Sequence, residues 1–289
     1  MKEQWIDVST HNGAVDWRKV ADSGIRGAIL RAGYGNRLSQ TDSRFQENIA
    51  GAAAAGLKTA VYWFSYASSE ADSLREWEIC KQVIQPYRGR ILFIAYDYEY
   101  ASVSYCKQLC GTAPSARQID NMAKTFLNAA RADGWNAVLY LNNDYRLHVY
   151  AAATLAQYDL WLADYDGTPD TACAVQQTAS SGKVPGIAGS VDLDTVFRSF
   201  TGAATAVKID TTMDLSRPHG QYYTVKTNCP GQAAVTVGTG GVVTVVPFPR
   251  NGTEQLFALV AVGAPGTETG IYTAAPGETP LKRFIFRVV

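Results

Sequence analysis

An apolar run followed by a segment of helical period occurs five times in succession before the pattern breaks off, and this alternation limits the fold more than any other feature of the chain. Gln4 to Ser9 reads as a strand, and the helix after it is capped by Asp16 and stops at Gly24. Gly27 to Tyr34 is the second strand, with Asp42 as cap of a helix burying Phe45, Ile49 and Ala53. Leu57 to Tyr66 leads into a helix from Ser69 to Tyr87 with Leu74, Trp77 and Ile84 on one face. Ile91 to Tyr100 leads, past Pro114-Ser115, into a helix carrying Ile119, Met122, Ala123, Phe126 and Ala130. Trp135 to Asn142 precedes a helix from Asp144 to Gln157, and Asp159 to Tyr165 is the sixth strand. Beyond it, Ala172 to Ala179 and Ser190 to Phe197 read as strands joined by turns too short for a helix. Right-handed repeats of this kind close most naturally into a barrel of about eight strands, with the functional side chains at the strands' carboxyl ends.

The fourth strand ends in two carboxylates, Asp97 and Glu99, spaced i, i+2 and so sharing a face. Burying two acids together raises the pKa of at least one, which supplies an acid and a base at neutral pH. A solvated strand end is the plainer alternative. Asp7 ends the first strand and Asp192 lies on the eighth, its neighbour in a closed barrel. Four carboxylates from three strands thus converge on one mouth, which scattered surface acids would not do.

Near Thr201 the composition turns to small residues, and 202–206 is expected to be a linker between a barrel at 1–201 and a small all-β sandwich at 207–289. Alternating segments there are punctuated at Pro230-Gly231, Gly240-Gly241, Asn251-Gly252, Pro265-Gly266 and Pro276-Gly277. All 6 tryptophans precede it. A formal charge of zero gives no basic field for nucleic acid, and no apolar run is long enough to insert in a membrane. Met1 to Asp7 reaches charged groups too early for a secretory segment. The 5 cysteines form no CxxC pair, with free thiols favoured over a Cys106–Cys110 bridge in a loop, and the 3 histidines have no metal-site spacing. No metal or cofactor is expected.

Taken in order, Trp5-Ile6-Asp7-Val8-Ser9, Val15-Asp16-Trp17, Ile29 to Gly35, Tyr62-Trp63-Phe64-Ser65, Asp97-Tyr98-Glu99, Leu160 to Tyr165 and Val191-Asp192-Leu193-Asp194 resemble the glycoside hydrolase family 25 lysozymes, the Chalaropsis-type muramidases. The resemblance runs over residues 3–200 and departs at Ala174-Val175-Gln176-Gln177, where members commonly carry Trp-Gln-Tyr. It implies a flattened (β/α)5β3 barrel and hydrolysis of the bond between N-acetylmuramic acid and N-acetylglucosamine in bacterial peptidoglycan. The setting it implies is the cell wall, outside the cell, as for a phage endolysin.

Glycoside cleavage needs a proton donor and an anion facing the anomeric carbon. Glu99, with the longer reach, is expected to be the acid/base and Asp97 the charge stabiliser, with Asp7 and Asp192 holding Glu99 protonated. Tyr34, Tyr62, Tyr140 and Trp161 offer flat faces for sugar rings, and Asp164 closes the sixth strand beside them. A chitinase-like N-acetylglucosaminide hydrolase, a catalytically weak wall-binding protein and a metal-dependent phosphodiesterase are the competing readings of the same acids.

Overall fold

The computed structural model describes residues 2–200, 207–229, 232–275 and 280–289. The expected linker at 202–206 and the turns at Pro230-Gly231 and Pro276-Gly277 lie outside the described residues. The chain forms two compact units, Met1–Ala203 and Ala204–Val289.

In the first unit β1 (Glu3–Val8), β2 (Gly27–Tyr34), β3 (Lys58–Phe64), β4 (Ile91–Asp97), β5 (Ala137–Asn142), β6 (Asp159–Ala163), β7 (Val175–Gly182) and β8 (Val191–Val196) close into a barrel in sequence order. Neighbours from β1 to β7 run parallel, whereas β8 is antiparallel to both β7 and β1. The reversal follows from the short β7–β8 connection, which leaves no length for a crossover. Asp192 therefore lies near the start of its strand, and the antiparallel register still sets it opposite Asp7.

Around the barrel lie α1 (Trp17–Asp22), α2 (Phe45–Ala54), α3 (Glu70–Ile84), α4 (Tyr100–Cys110), α5 (Ala116–Ala132), α6 (Asn143–His148) and α7 (Ala152–Gln157). Two differ from expectation. Helix α4 falls where a loop was expected, because Tyr100 to Cys110 buries only Ser102 and Cys106 and shows no apolar stripe. The helix expected from Asp144 to Gln157 is broken in two, with Tyr150 buried and the Ala151 N–H donating to Asp120 Oδ1 at 3.1 Å. Leu74, expected to be buried on α3, is exposed. Cys80, Cys106, Cys110 and Cys173 are free thiols, and Cys106 and Cys110 sit on α4 rather than in a loop.

Strand alternation sorts the core into two layers. Ile6, Leu30, Val61, Ile94, Leu139 and Leu162 pack outward against the helices. Trp5, Ile29, Phe93, Val138, Trp161, Val175 and Val196 fill the barrel, joined by Phe200, whose ring lies 4.6 Å from that of Phe93. Gly27 makes room for this filling, since a Cβ there would come within 2.3 Å of the Trp5 indole. Two residues further along the inward faces, apolar side chains give way to polar ones: Asp7 follows Trp5, Arg31 follows Ile29, and Tyr140 follows Val138.

The described part of the second unit consists of two four-stranded sheets. One has the order β10 (Leu215–Arg217), β16 (Leu281–Val288), β15 (Glu268–Ala274), β12 (Ala234–Val237), and the other β13 (Val243–Pro247), β14 (Glu254–Ala261), β11 (Tyr222–Asn228), β9 (Lys208–Ile209). Val225, Phe257 and Leu259 of one sheet share a core with Ile271, Phe284 and Phe286 of the other.

Candidate active site

The polar ends of the inward faces open into a cavity of about 950 Å³. Asp7, Asp97, Glu99 and Asp192 all line it, together with Tyr34, Tyr62, Tyr140 and Trp161. Asp97 is the last residue of β4, held by its carbonyl accepting the Ser65 N–H at 2.7 Å. Glu99 follows with extended backbone as the N-cap of α4, its N–H donating to Ser102 Oγ at 3.1 Å. The helix missed in the sequence thus fixes where Glu99 stands.

Burial raises the Asp97 pKa well above the usual carboxylate range, the nearby Glu99 charge adds to this, and the Arg31 guanidinium opposes it. Glu99 is raised by burial, lowered by a hydrogen bond from the Tyr140 hydroxyl, and raised again by Asp192. The Arg31 guanidinium is thus the charge that pulls Asp97 toward its ionised form, against burial and the Glu99 charge. Asp97 Oδ1 is buried and meets no hydrogen-bond donor among the described residues. Arg31 is itself anchored, its Nε donating to Asp42 Oδ2 at 2.8 Å. Asp42 was expected only as a helix cap, and its carboxylate does accept the Arg44 N–H, but it is buried and also accepts the Thr10 N–H at 3.0 Å, so that it ties the β1 and β2 loops together.

Asp7 belongs to a second acid group that was only half expected. Asp194, fully buried, lies two residues beyond Asp192 on the same face of β8 and accepts the Trp161 Nε1–H at 2.7 Å. Burial, then the charges of Asp194 and Asp192, raise Asp7 well above the carboxylate range, and the Gln177 amide opposes them. Asp194 Oδ2 is buried and meets no donor among the described residues, and the Asp194 carboxyl lies close enough to Asp7 for the two to share a hydrogen bond when one of them is protonated. The same i, i+2 argument that joins Asp97 to Glu99 identifies Asp194.

Trp161 is packed edge-on by Tyr140 (4.7 Å) and Tyr62 (5.9 Å), so these three form a floor more than a platform. Tyr34, Phe64 and Tyr66 form a more open aromatic wall, Tyr34 and Tyr66 meeting edge to face at 6.1 Å. Phe64 and Tyr66 follow Tyr62 at the strand period, a signal present in the sequence. Ser9, Thr10, His11 and Asn12, in the turn after β1, complete the rim. Asp164 is a correction: the structure does not bring it to the cavity. With Trp161 and Ala163 facing inward, the next residue turns away, and Asp164 Oδ2 accepts the Asp170 N–H at 2.9 Å to close a loop. Gln177 and Tyr165, by contrast, do line the cavity.

Residues 6–187 match the family described as Glycosyl hydrolases family 25. The autolytic lysozyme of Clostridium acetobutylicum is 27% identical over 195 residues, covering 65% of this chain and 54% of that protein. The modular autolysin LytC from Streptococcus pneumoniae shares the fold with a TM-score of 0.59 at 24% identity, over 68% of this chain and 47% of its own. The bacterial lysozyme from Streptomyces coelicolor does so with a TM-score of 0.55 at 21% identity, over 70% of this chain and 93% of its own. The chain spans about half the length of the first two. With the greater part of its length matched and a closed eight-stranded barrel carrying the acids, the chain belongs to the glycosyl hydrolases of family 25.

Proposed function

We propose that the chain is an N-acetylmuramidase, cleaving the β-1,4 bond between N-acetylmuramic acid and N-acetylglucosamine in bacterial peptidoglycan with retention of configuration. The observation that carries this reading is the meeting of Asp7, Asp97, Glu99 and Asp192 in one cavity, with Asp97 buried beside an arginine and Glu99 beside a further acid. Glu99 protonates the leaving oxygen and then, as a base, activates the incoming water. Asp97 stabilises positive charge at the anomeric carbon, or holds the substrate's own acetamido group for attack through its unengaged Oδ1. Neighbouring carboxyls favour retention, since inversion needs a gap of roughly 6.5–9.5 Å to seat a water. Tyr34, Phe64 and Tyr66 are the faces against which sugar rings stack.

On this reading the first unit is the flattened (β/α)5β3 barrel and the second a β-sandwich that holds the enzyme on the wall, outside the cell. Incubation with purified peptidoglycan tests it: new reducing ends of muramic acid are expected. Reducing ends of glucosamine would assign a chitinase-like specificity, and no new ends would leave a wall-binding protein.

A further inference from the structure

Gln177 on β7 is only 4% exposed, and its side chain makes three hydrogen bonds. Its Nε2 donates to Asp7 Oδ2 at 2.8 Å. Its Oε1 accepts from the Tyr140 hydroxyl at 3.1 Å and from the Tyr165 hydroxyl at 2.9 Å. The Asp7 carboxylate fixes the orientation of the amide, because turning it over would set the amide oxygen against that carboxylate. The Tyr140 hydroxyl also reaches Glu99, and it has a single proton to give. When that proton points to Gln177, Tyr140 shows Glu99 only a lone pair, which a protonated carboxyl can bond and a carboxylate cannot. When Glu99 is ionised, the hydroxyl turns to it and Gln177 keeps Tyr165.

We propose that Gln177 is a positioning residue that competes with Glu99 for the Tyr140 hydroxyl proton, favouring the protonated Glu99 with which the reaction begins. This rests on the assignment of Glu99 as the acid. Besides Tyr140 and Tyr165, the charged or titratable groups around the site among the described residues are Asp7 on β1, His11 in the turn after it, Arg31 and Tyr34 on β2, Asp42 in the loop beyond, Tyr62 on β3 and Tyr66 after it, Asp97 on β4, Asp192 and Asp194 on β8, and Tyr100 and Tyr145 on α4 and α6. Of these only Asp7 loses a partner when Gln177 is replaced. Its carboxylate then ionises less readily, because the Gln177 amide is what opposes its raised pKa.

Gln177→Met keeps the length of the side chain and removes both hydrogen-bonding functions. The Glu99 carboxyl, followed by carbon NMR through a pH titration of the full chain, is expected to titrate roughly half to one pH unit lower, the weight of one redistributed hydrogen bond. The alkaline limb of kcat/KM on peptidoglycan fragments moves with it. In a Tyr140→Phe background the same substitution should produce a much smaller shift. Tyr165→Phe, at an exposed position that folding tolerates, removes a rival for Oε1 and is expected to move the titration up. An unchanged titration in Gln177→Met, a shift of equal size without the Tyr140 hydroxyl, or a lowered or unchanged titration in Tyr165→Phe overturns the proposal. The titration does not depend on turnover, so a chain inactive on peptidoglycan defeats the functional reading while the role of Gln177 is still decided.

Discussion

Replacing Glu99 with glutamine copies the shape of the side chain but removes the proton that the proposed mechanism has it deliver. General acid catalysis is worth about 10²–10⁴-fold, and kcat on peptidoglycan is expected to fall by that order in Glu99→Gln, with an unchanged circular dichroism spectrum. Near-normal turnover would send the acid's role to another carboxylate of the cluster. A second buried acid answers to pH in the opposite experiment, one of stability. Glu76 on α3 lies beneath Ser65, which donates to its Oε2 at 2.5 Å, while the Tyr66 N–H donates to Oε1 at 2.8 Å. Burial pushes its pKa up to about 8, against these two hydrogen bonds. A raised folded pKa stabilises fully below the ordinary value near 4.5, and that contribution is lost as pH rises through about 8. Denaturant melts of the wild type should therefore lose up to roughly 1.4 kcal/mol per pH unit across this window, on top of whatever other groups contribute. Glu76→Gln, whose amide can accept from Tyr66 and donate to Ser65, should lack this slope; the same slope in both proteins would mean that Glu76 is ionised at neutral pH.

At the scale of strands and helices, alternation was the legible signal, and it located all eight barrel strands because all but the largely polar β7 carry apolar residues on both faces. The acids at Asp7, Asp97, Glu99 and Asp192 were legible for the same reason, being placed by strand ends. Helix α4 was not, since its contacts are polar and its period is hidden. Asp164 was misplaced by one residue of phase, and Gln177 carried no signal because its partners come from β1, β5 and the loop after β6. Close approach between strands leaves a quieter trace. Gly27 reads only as the first residue of a strand, yet its missing side chain is the space into which the Trp5 ring fits. Gly27→Ala is expected to force that ring out of place inside the barrel at a cost of about 1–3 kcal/mol, the usual range for overpacking. The check is a denaturant midpoint combined with Trp5 fluorescence in a variant series; an unchanged midpoint would mean that the barrel filling yields without strain.

For the molecule as a whole, the separation of labour between the two units is the open physical question, and a shortened chain addresses it. The cut belongs after Phe200, because that ring packs on Phe93, on which Trp5 also stacks at 6.3 Å, so a shorter chain would uncover the barrel filling. All the described residues lining the cavity precede this point. The second unit has no tryptophan, and its exposed apolar side chains include Tyr222, Phe248 and Leu256. Contact of such a surface with a polymer is weak at a single site and acts mainly by raising the local concentration of the barrel on an insoluble substrate. The chain ending at Phe200 is therefore expected to cleave soluble muropeptide fragments at the rate of the full chain and to lose about 10-fold or more on intact walls, with the loss shrinking as wall concentration rises. Parallel rate measurements on the two substrates, with a thermal melt of each protein, distinguish the outcomes. Equal losses on both substrates with a lowered melting temperature would make the second unit a support for the barrel, and full activity on walls would remove it from substrate capture altogether.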